Sequence, residues 1–181
     1  MMLLEVKTGD LFKNAPENSV LVHSCNCVGL WGRGIAVEFA NRYPDALRDY
    51  MDYCNLCRPK VGTARLMGIQ KKVGCLFTSY HFGRKADSQE QIADATYLAA
   101  LELLDIVSSV HPAGTEIHSP MINSGLLKTP WPLSEKAILK ALTDTQNRVK
   151  WVVWKLPQQG EQTHGSIASS DSILVSMYTS S

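Results

Sequence analysis

Short apolar runs alternate with longer stretches of helical period along the chain. Residues 3–8 (LLEVKT) alternate apolar and polar positions and predict a first strand. Residues 19–24 (SVLVHS) form a compact β-branched run and predict a buried strand. A glycine-rich stretch, 29–34, leads into residues 35–43, which carry helical spacing. Pro44 interrupts, and residues 45–53 predict a second short helix, because proline suits a helix start. Residues 61–69 and 73–79 predict two strands joined by a Gln70-Lys71-Lys72 turn. Ser88 opens a long helix whose stripe of Ile92, Ala95, Leu98, Ala99, Leu101, Leu104 and Val107 is set to face a core. Residues 116–122 predict another strand, 132–142 a helix that starts at Pro132, and 149–156 a closing strand. Trp151 and Trp154 fall on opposite faces of that last strand, as in a strand covered on both sides. Alternating strands and helices predict an α/β fold, a central sheet sandwiched between helices. From Gln158 the chain turns serine-rich with few charges. It reads as a domain over 1–157 and a disordered tail over 158–181, despite the apolar patch Ile173-Leu174-Val175.

Composition narrows the partners. The 181 residues are 45% hydrophobic, enough for one core and too few for two. With 18 basic and 17 acidic side chains the net charge is +1, and no basic stripe suited to nucleic acid stands out. The start of the chain lacks the basic n-region of a secretory signal, and no apolar run approaches the ~20 residues of a membrane span. The expectation is a soluble monomer, in the cytoplasm or in cytoplasm and nucleus, that binds a small molecule, not nucleic acid or membrane. Five cysteines cannot all pair within the chain. Cys54 and Cys57 (C-x-x-C) and Cys25 and Cys27 (C-x-C) raise zinc, but the spacings differ and the pairs sit in different elements. Structural thiols are the favoured reading, with no metal and no cofactor expected.

Three loops follow predicted strands. In Thr8-Gly9-Asp10-Leu11-Phe12, Asp10 either accepts from an exocyclic amine or caps a turn or short helix. The stretch from His23 to Ala36 runs from a buried strand through Gly29, Gly32 and Gly34 into a helix. There, free N–H groups and the helix dipole favour an anion, although an ordinary tight connection would look similar. The third loop, Ser119 to Lys128, contains Asn123-Ser124-Gly125 ahead of another helix. Ligands of open sheets bind outside the carboxyl ends of strands, where all three loops would lie.

Taken in order, GDLF, HSCNCVGLWGRGIAVEFANRYP and SPMINSGLLKTPW resemble macro domains, and within them the fungal-type ADP-ribose 1''-phosphate phosphatases, from residue 5 to about residue 156. The resemblance implies a mixed sheet and hydrolysis of the terminal phosphate of ADP-ribose 1''-phosphate, a by-product of tRNA splicing. It assigns Gly9, Asp10 and Leu11 to adenine; Ser24, Cys25 and Asn26 to the distal ribose; Trp31, Gly32, Arg33, Gly34, Ile35 and Ala36 to the diphosphate and distal ribose. Ile122, Asn123, Ser124, Gly125, Leu126, Leu127 and Lys128 would form the opposite phosphate wall. Arg33 and Lys128 replace the small residues usual in the family, and both add positive charge. A related branch that removes ADP-ribose from glutamate uses a lysine and an aspartate where this chain has Ser79 and Leu127, which argues against that chemistry here.

By residue type, His23 is the best general acid or base, with water as nucleophile and Asn26 orienting ribose and water. His23 also suits a buried structural role, since Leu21, His23 and Cys25 share a strand face. His81 is a weaker candidate. Cys27 and Arg33 have the C-x-x-x-x-x-R spacing of cysteine-dependent phosphatases, but Asn26 stands where those enzymes have histidine. A non-catalytic ADP-ribose reader and a hydrolase of O-acetyl-ADP-ribose or protein-linked ADP-ribose remain alternatives.

Overall fold

The computed structural model describes residues 3–158; the expected tail, beyond residue 158, lies outside them. Six strands form one sheet: β1 (Leu4–Thr8), β2 (Val20–Asn26), β3 (Thr63–Met67), β4 (Val73–Ser79), β5 (Ile117–Pro120) and β6 (Trp151–Lys155). Their spatial order is β1-β6-β5-β2-β4-β3. Every neighbouring pair is parallel except β3 with β4, so the sheet is mixed, as the resemblance implies. Because β1, β6, β5, β2 and β4 run the same way, their carboxyl ends meet along one edge.

Five helices cover the sheet: α1 (Leu11–Asn14), α2 (Ile35–Arg42), α3 (Pro44–Cys57), α4 (Gln89–Val110) and α5 (Trp131–Asp144). Alternation along β2 sorts the two faces. Val20 and Val22 join Ala99, Leu103, Leu104 and Val107 of α4 and Ile138, Ala141 and Leu142 of α5. Leu21 and Cys25 turn the other way, to Phe39 of α2 and to Ala46, Tyr50 and Cys54 of α3. Trp151 and Trp154 divide as the sequence predicts. Trp151 is fully buried with the α4–α5 layer, while Trp154 packs against the α2–α3 layer.

Local chemistry sets the ends of the elements. Ser88 accepts from the Gln91 N–H and Gln91 returns a bond to the Ser88 N–H, a capping box that starts α4 one residue after the expected serine. The strand expected over 61–69 shortens to Thr63–Met67, because Gly62 and Gly68 flank it in left-handed backbone at φ 87° and 85°. Helix α3 outruns its expected end at residue 53 and stops only where Arg58 turns left-handed before Pro59. The strand expected over 116–122 is cut to Ile117–Pro120, freeing the following residues to form a loop. Helix α1, one turn long, is too short to show periodicity and has no counterpart among the predicted elements.

Candidate functional site

The loops after β1, β2, β5 and β6, joined by Phe82 after β4, line one cleft of about 840 Å³ at the shared carboxyl edge of the sheet. That volume lies within the range of pre-formed small-molecule sites. Strands β2 and β5 are neighbours, yet the chain leaves β2 for α2 on one face and leaves β5 for α5 on the other. Divergence of successive helices to opposite faces opens a crevice at that point.

Of the expected site residues, Gly9, Leu11, Ser24, Cys25, Asn26, Trp31 to Ala36 and Ile122 to Lys128 all line this cleft, with His23 in its floor. Asp10 is the exception. Its Oδ1 accepts the Phe12 N–H at 2.8 Å as the cap of α1, so the capping role considered for it is realised. Leu30, Pro120 and Met121, which the sequence placed in the second and third loops without assigning them a contact, also line it, as do Phe82, Thr129, Pro130, Trp154, Lys155 and Leu156, which it did not anticipate. The signal for the last three was present: a parallel β6 beside β1 must deliver its own carboxyl end to the same edge.

The second loop is built around Asn26. Its Oδ1 accepts from the N–H of Val28 (3.1 Å) and of Leu30 (3.3 Å) and from the Tyr50 hydroxyl (2.9 Å), while its Nδ2 donates to the Leu30 carbonyl (2.8 Å). The side chain expected to orient ribose and water is thus a clamp that shapes residues 26–30, and its carbonyl is fully engaged. Beyond the clamp the loop passes Arg33, exposed to the cleft, to Gly34 at φ 59° and ψ −145°. That conformation belongs to glycine, and a Cβ placed there meets no atom within 4 Å. Gly34 caps α2, whose first N–H groups lack intrahelical acceptors and face an anion favourably.

The third loop hangs on Asn123, whose backbone is left-handed at φ 64°. Its buried side chain accepts from Thr78 of β4 (2.7 Å) and donates to Thr96 of α4 and Ser134 of α5 (both 2.9 Å). Its N–H donates to Ser24 Oγ at 3.3 Å, tying the third loop to the second. Assigned to the phosphate wall, Asn123 does line the cleft, but its side chain is consumed by three elements of the core, β4, α4 and α5. Lys128, the departure from a small residue, adopts φ 50°, where glycine would be at ease.

His23 is buried in an aromatic nest, stacked on Phe39 at 4.1 Å and edge-on to Trp31 at 4.6 Å, with Cys25 Sγ 3.6 Å from its Nε2. Trp31 stacks in turn on Tyr50 at 4.8 Å, so it anchors the loop as well as lining it. Cys27 is buried away from the cleft lining, and burial, with Cys54, Cys25 and Asp87 nearby, pushes its thiol up to about 12. A cysteine-dependent phosphatase needs a depressed thiol facing the phosphate, so Cys27 is unsuited and that reading falls. His81 lies beside the cleft, where its Nδ1 accepts the Phe82 N–H. Among the described residues, the charged lining residues are Arg33, Lys128 and Lys155, and no carboxylate joins them.

At the far end, His118 Nδ1 accepts the Trp154 indole N–H at 2.9 Å and Nε2 lies 2.7 Å from Glu116. This fixes a neutral ring carrying its proton on Nε2. Burial lowers its pKa, against the opposing pull of Glu116.

Comparison with known proteins agrees with this geometry. The macro domain family model matches residues 22–138. An ADP-ribose 1''-phosphate phosphatase of Chaetomium globosum is 39% identical over 149 residues, covering 73% of this chain and 80% of that protein. One of Lodderomyces elongisporus is 36% identical, covering 77% and 92%. Among solved structures, the macrodomain of Mycobacterium tuberculosis DarG superposes with a TM-score of 0.66 at 24% identity, covering 83% of this chain and 96% of that one. Thermosipho africanus DarTG, solved in complex with ADP-ribose, gives 0.65 at 15% identity, covering 90% of this chain and 44% of that one. A mixed six-stranded sheet, a cleft between the loops after β2 and β5, and a family match across both loops lead to one conclusion: the chain belongs to the macro domain family.

Proposed function

We propose that the protein hydrolyses the terminal phosphate of ADP-ribose 1''-phosphate, releasing ADP-ribose and inorganic phosphate. The observation that carries the reading is a cleft lined by Arg33, Lys128, Lys155 and the N-terminus of α2, with no lining carboxylate among the described residues, in a chain whose relatives bear that activity in their names. Such a lining suits a ligand with several phosphates. Adenine lies near Gly9 and Leu11, the diphosphate along residues 31–36, and the terminal phosphate between the second and third loops. Water attacks phosphorus, the bond from phosphorus to the ribose oxygen breaks, and that oxygen takes a proton. His23 is the acid–base group at the cleft floor, and Asn26 acts by holding the loop. The substrate arises in tRNA splicing, and the protein works as a monomer in the cytoplasm, or in cytoplasm and nucleus.

One observation favours a second reading, a non-catalytic ADP-ribose binder. His23 is enclosed by Phe39 and Trp31, so the cleft has little acid–base chemistry to offer. Purified, chelator-treated protein offered ADP-ribose 1''-phosphate, the O-acetyl ester and protein-linked ADP-ribose separates the two. The phosphatase reading expects phosphate release from the first and little turnover of the others. Tight binding of all three with no product would establish a binder.

A further inference from the structure

Beneath the cleft floor, on the α2–α3 face of the sheet, three metal-ligating side chains converge. Strand register sets His23 of β2 opposite Cys75 of β4, and Cys25 follows two residues along on the same face. Their ligand atoms all lie within 4.8 Å of one another, and all three residues are buried. A tetrahedral ion with sulfur at ~2.3 Å and nitrogen at ~2.0 Å holds those donors roughly 3.5 Å apart. Cys25 Sγ and His23 Nε2 already stand at 3.6 Å.

A second observation points to the same place. Trp31 Nε1 is the one buried side-chain polar atom without a hydrogen-bond partner among the described residues. A buried orphan donor is costly, and its neighbour is Cys25. Bound to a cation as a thiolate, the Cys25 sulfur would be the acceptor that the indole N–H lacks.

We propose that His23, Cys25 and Cys75 form a buried site for one thiophilic metal ion, Zn²⁺ or Cu⁺. Soft thiolates with an imidazole select these ions. Two thiolates and a neutral ring offset a divalent charge, so a buried Zn²⁺ carries no net charge into the interior. The Trp31 N–H then supports the Cys25 sulfur from outside the ligand set. Entry is from the cleft, which His23 and Cys25 line. This departs from the expectation of no metal, and neither sequence pair considered for zinc, C-x-x-C or C-x-C, contains the three residues. Where His23 serves the proposed hydrolysis, the ion withdraws its nitrogen, so metal inhibits turnover; that clause alone rests on the functional reading.

Reduced, metal-stripped protein titrated with Co²⁺ as the spectroscopic stand-in for Zn²⁺ tests the site, with Cu⁺ in a parallel arm against a chromophoric chelator. One equivalent should bind with a sulfur-to-cobalt charge-transfer band that Zn²⁺ abolishes, or Cu⁺ alone should bind at one equivalent. Cys25→Ser and Cys75→Ser should each weaken binding beyond the ~10–100-fold cost of losing a supporting contact. Cys57→Ser, an exposed thiol, should leave it unchanged. Wild-type protein that binds neither ion overturns the proposal, as does binding that survives both cysteine changes or depends on Cys57. The wild-type titration decides even if a variant fails to fold. Metal binding by a protein whose metal-free form shows no turnover would sink the phosphatase reading and leave the site standing.

Discussion

At the scale of residues, the second and third loops each rest on one asparagine whose amide serves the protein before it serves a ligand. Asn26 holds Val28, Leu30 and Tyr50 together. Asn26→Ala should therefore displace the loop and lower turnover of ADP-ribose 1''-phosphate by ~100-fold, the scale of cost that small misplacements carry. Cys27→Ser should keep most of the activity, because the buried thiol only packs. Single-turnover rates on variants shown to be folded by circular dichroism check the pair. A dead Cys27→Ser beside an active Asn26→Ala would reverse the assignment. Asn123→Ala strips partners from Thr78, Thr96 and Ser134 at once. It should cost about 2–4 kcal/mol of stability, given ~1–3 kcal/mol for each buried polar group left unpaired. It should also loosen ADP-ribose binding. Urea unfolding and calorimetry on the same preparation read both effects; unchanged unfolding would mean the core network is unimportant.

At the scale of elements, helix α2 matters through where it begins. Gly34 allows the chain to enter the helix from a backbone conformation essentially closed to other residues, and space lies open where its side chain would stand. A Cβ at residue 34 meets no heavy atom within 4 Å. The effect of Gly34→Val should come from backbone strain of ~1–3 kcal/mol and from a side chain projecting from the phosphate loop. We expect ADP-ribose affinity to fall by at least ~10-fold while the melting temperature drops only modestly. Calorimetry beside differential scanning fluorimetry tests this, and normal affinity in the folded variant would remove Gly34 from the ligand path.

At the scale of the whole molecule, the sheet couples the cleft to pH through His118. Its lowered folded pKa means that the unfolded chain binds a proton the folded chain resists. Its contribution is therefore fully present above about pH 6.5 and is lost as pH falls from there through the lowered folded value, with a slope of at most about 1.4 kcal/mol per pH unit. Protonating Nδ1 also ends its bond with Trp154, a lining residue of the cleft. His118→Asn should be less stable at pH 7.5 and show a flatter decline toward pH 5. Urea denaturation at several pH values measures the slope; an unaltered slope in the variant would assign the acid sensitivity elsewhere. No helix among the described residues is long and apolar enough to cross a membrane.

Sequence by itself determined what depends on neighbours along the chain. Period-two and helical patterns located all six strands and four of the five helices. Glycines and strand-to-helix junctions marked the three loops, because the need for positive φ and free N–H groups is local. What each polar side chain does was decided only by the tertiary structure. Asp10 turned toward its own helix cap, and Asn26 and Asn123 turned inward, because partners such as Tyr50, Thr78, Thr96 and Ser134 arrive from distant segments. Trp154, Lys155 and Leu156 joined the cleft because β6 inserts between β1 and β5, a pairing that no local pattern encodes. Cys75 meets His23 and Cys25 for the same reason: 50 residues separate Cys25 from Cys75 along the chain, and parallel pairing of β2 with β4 removes that distance.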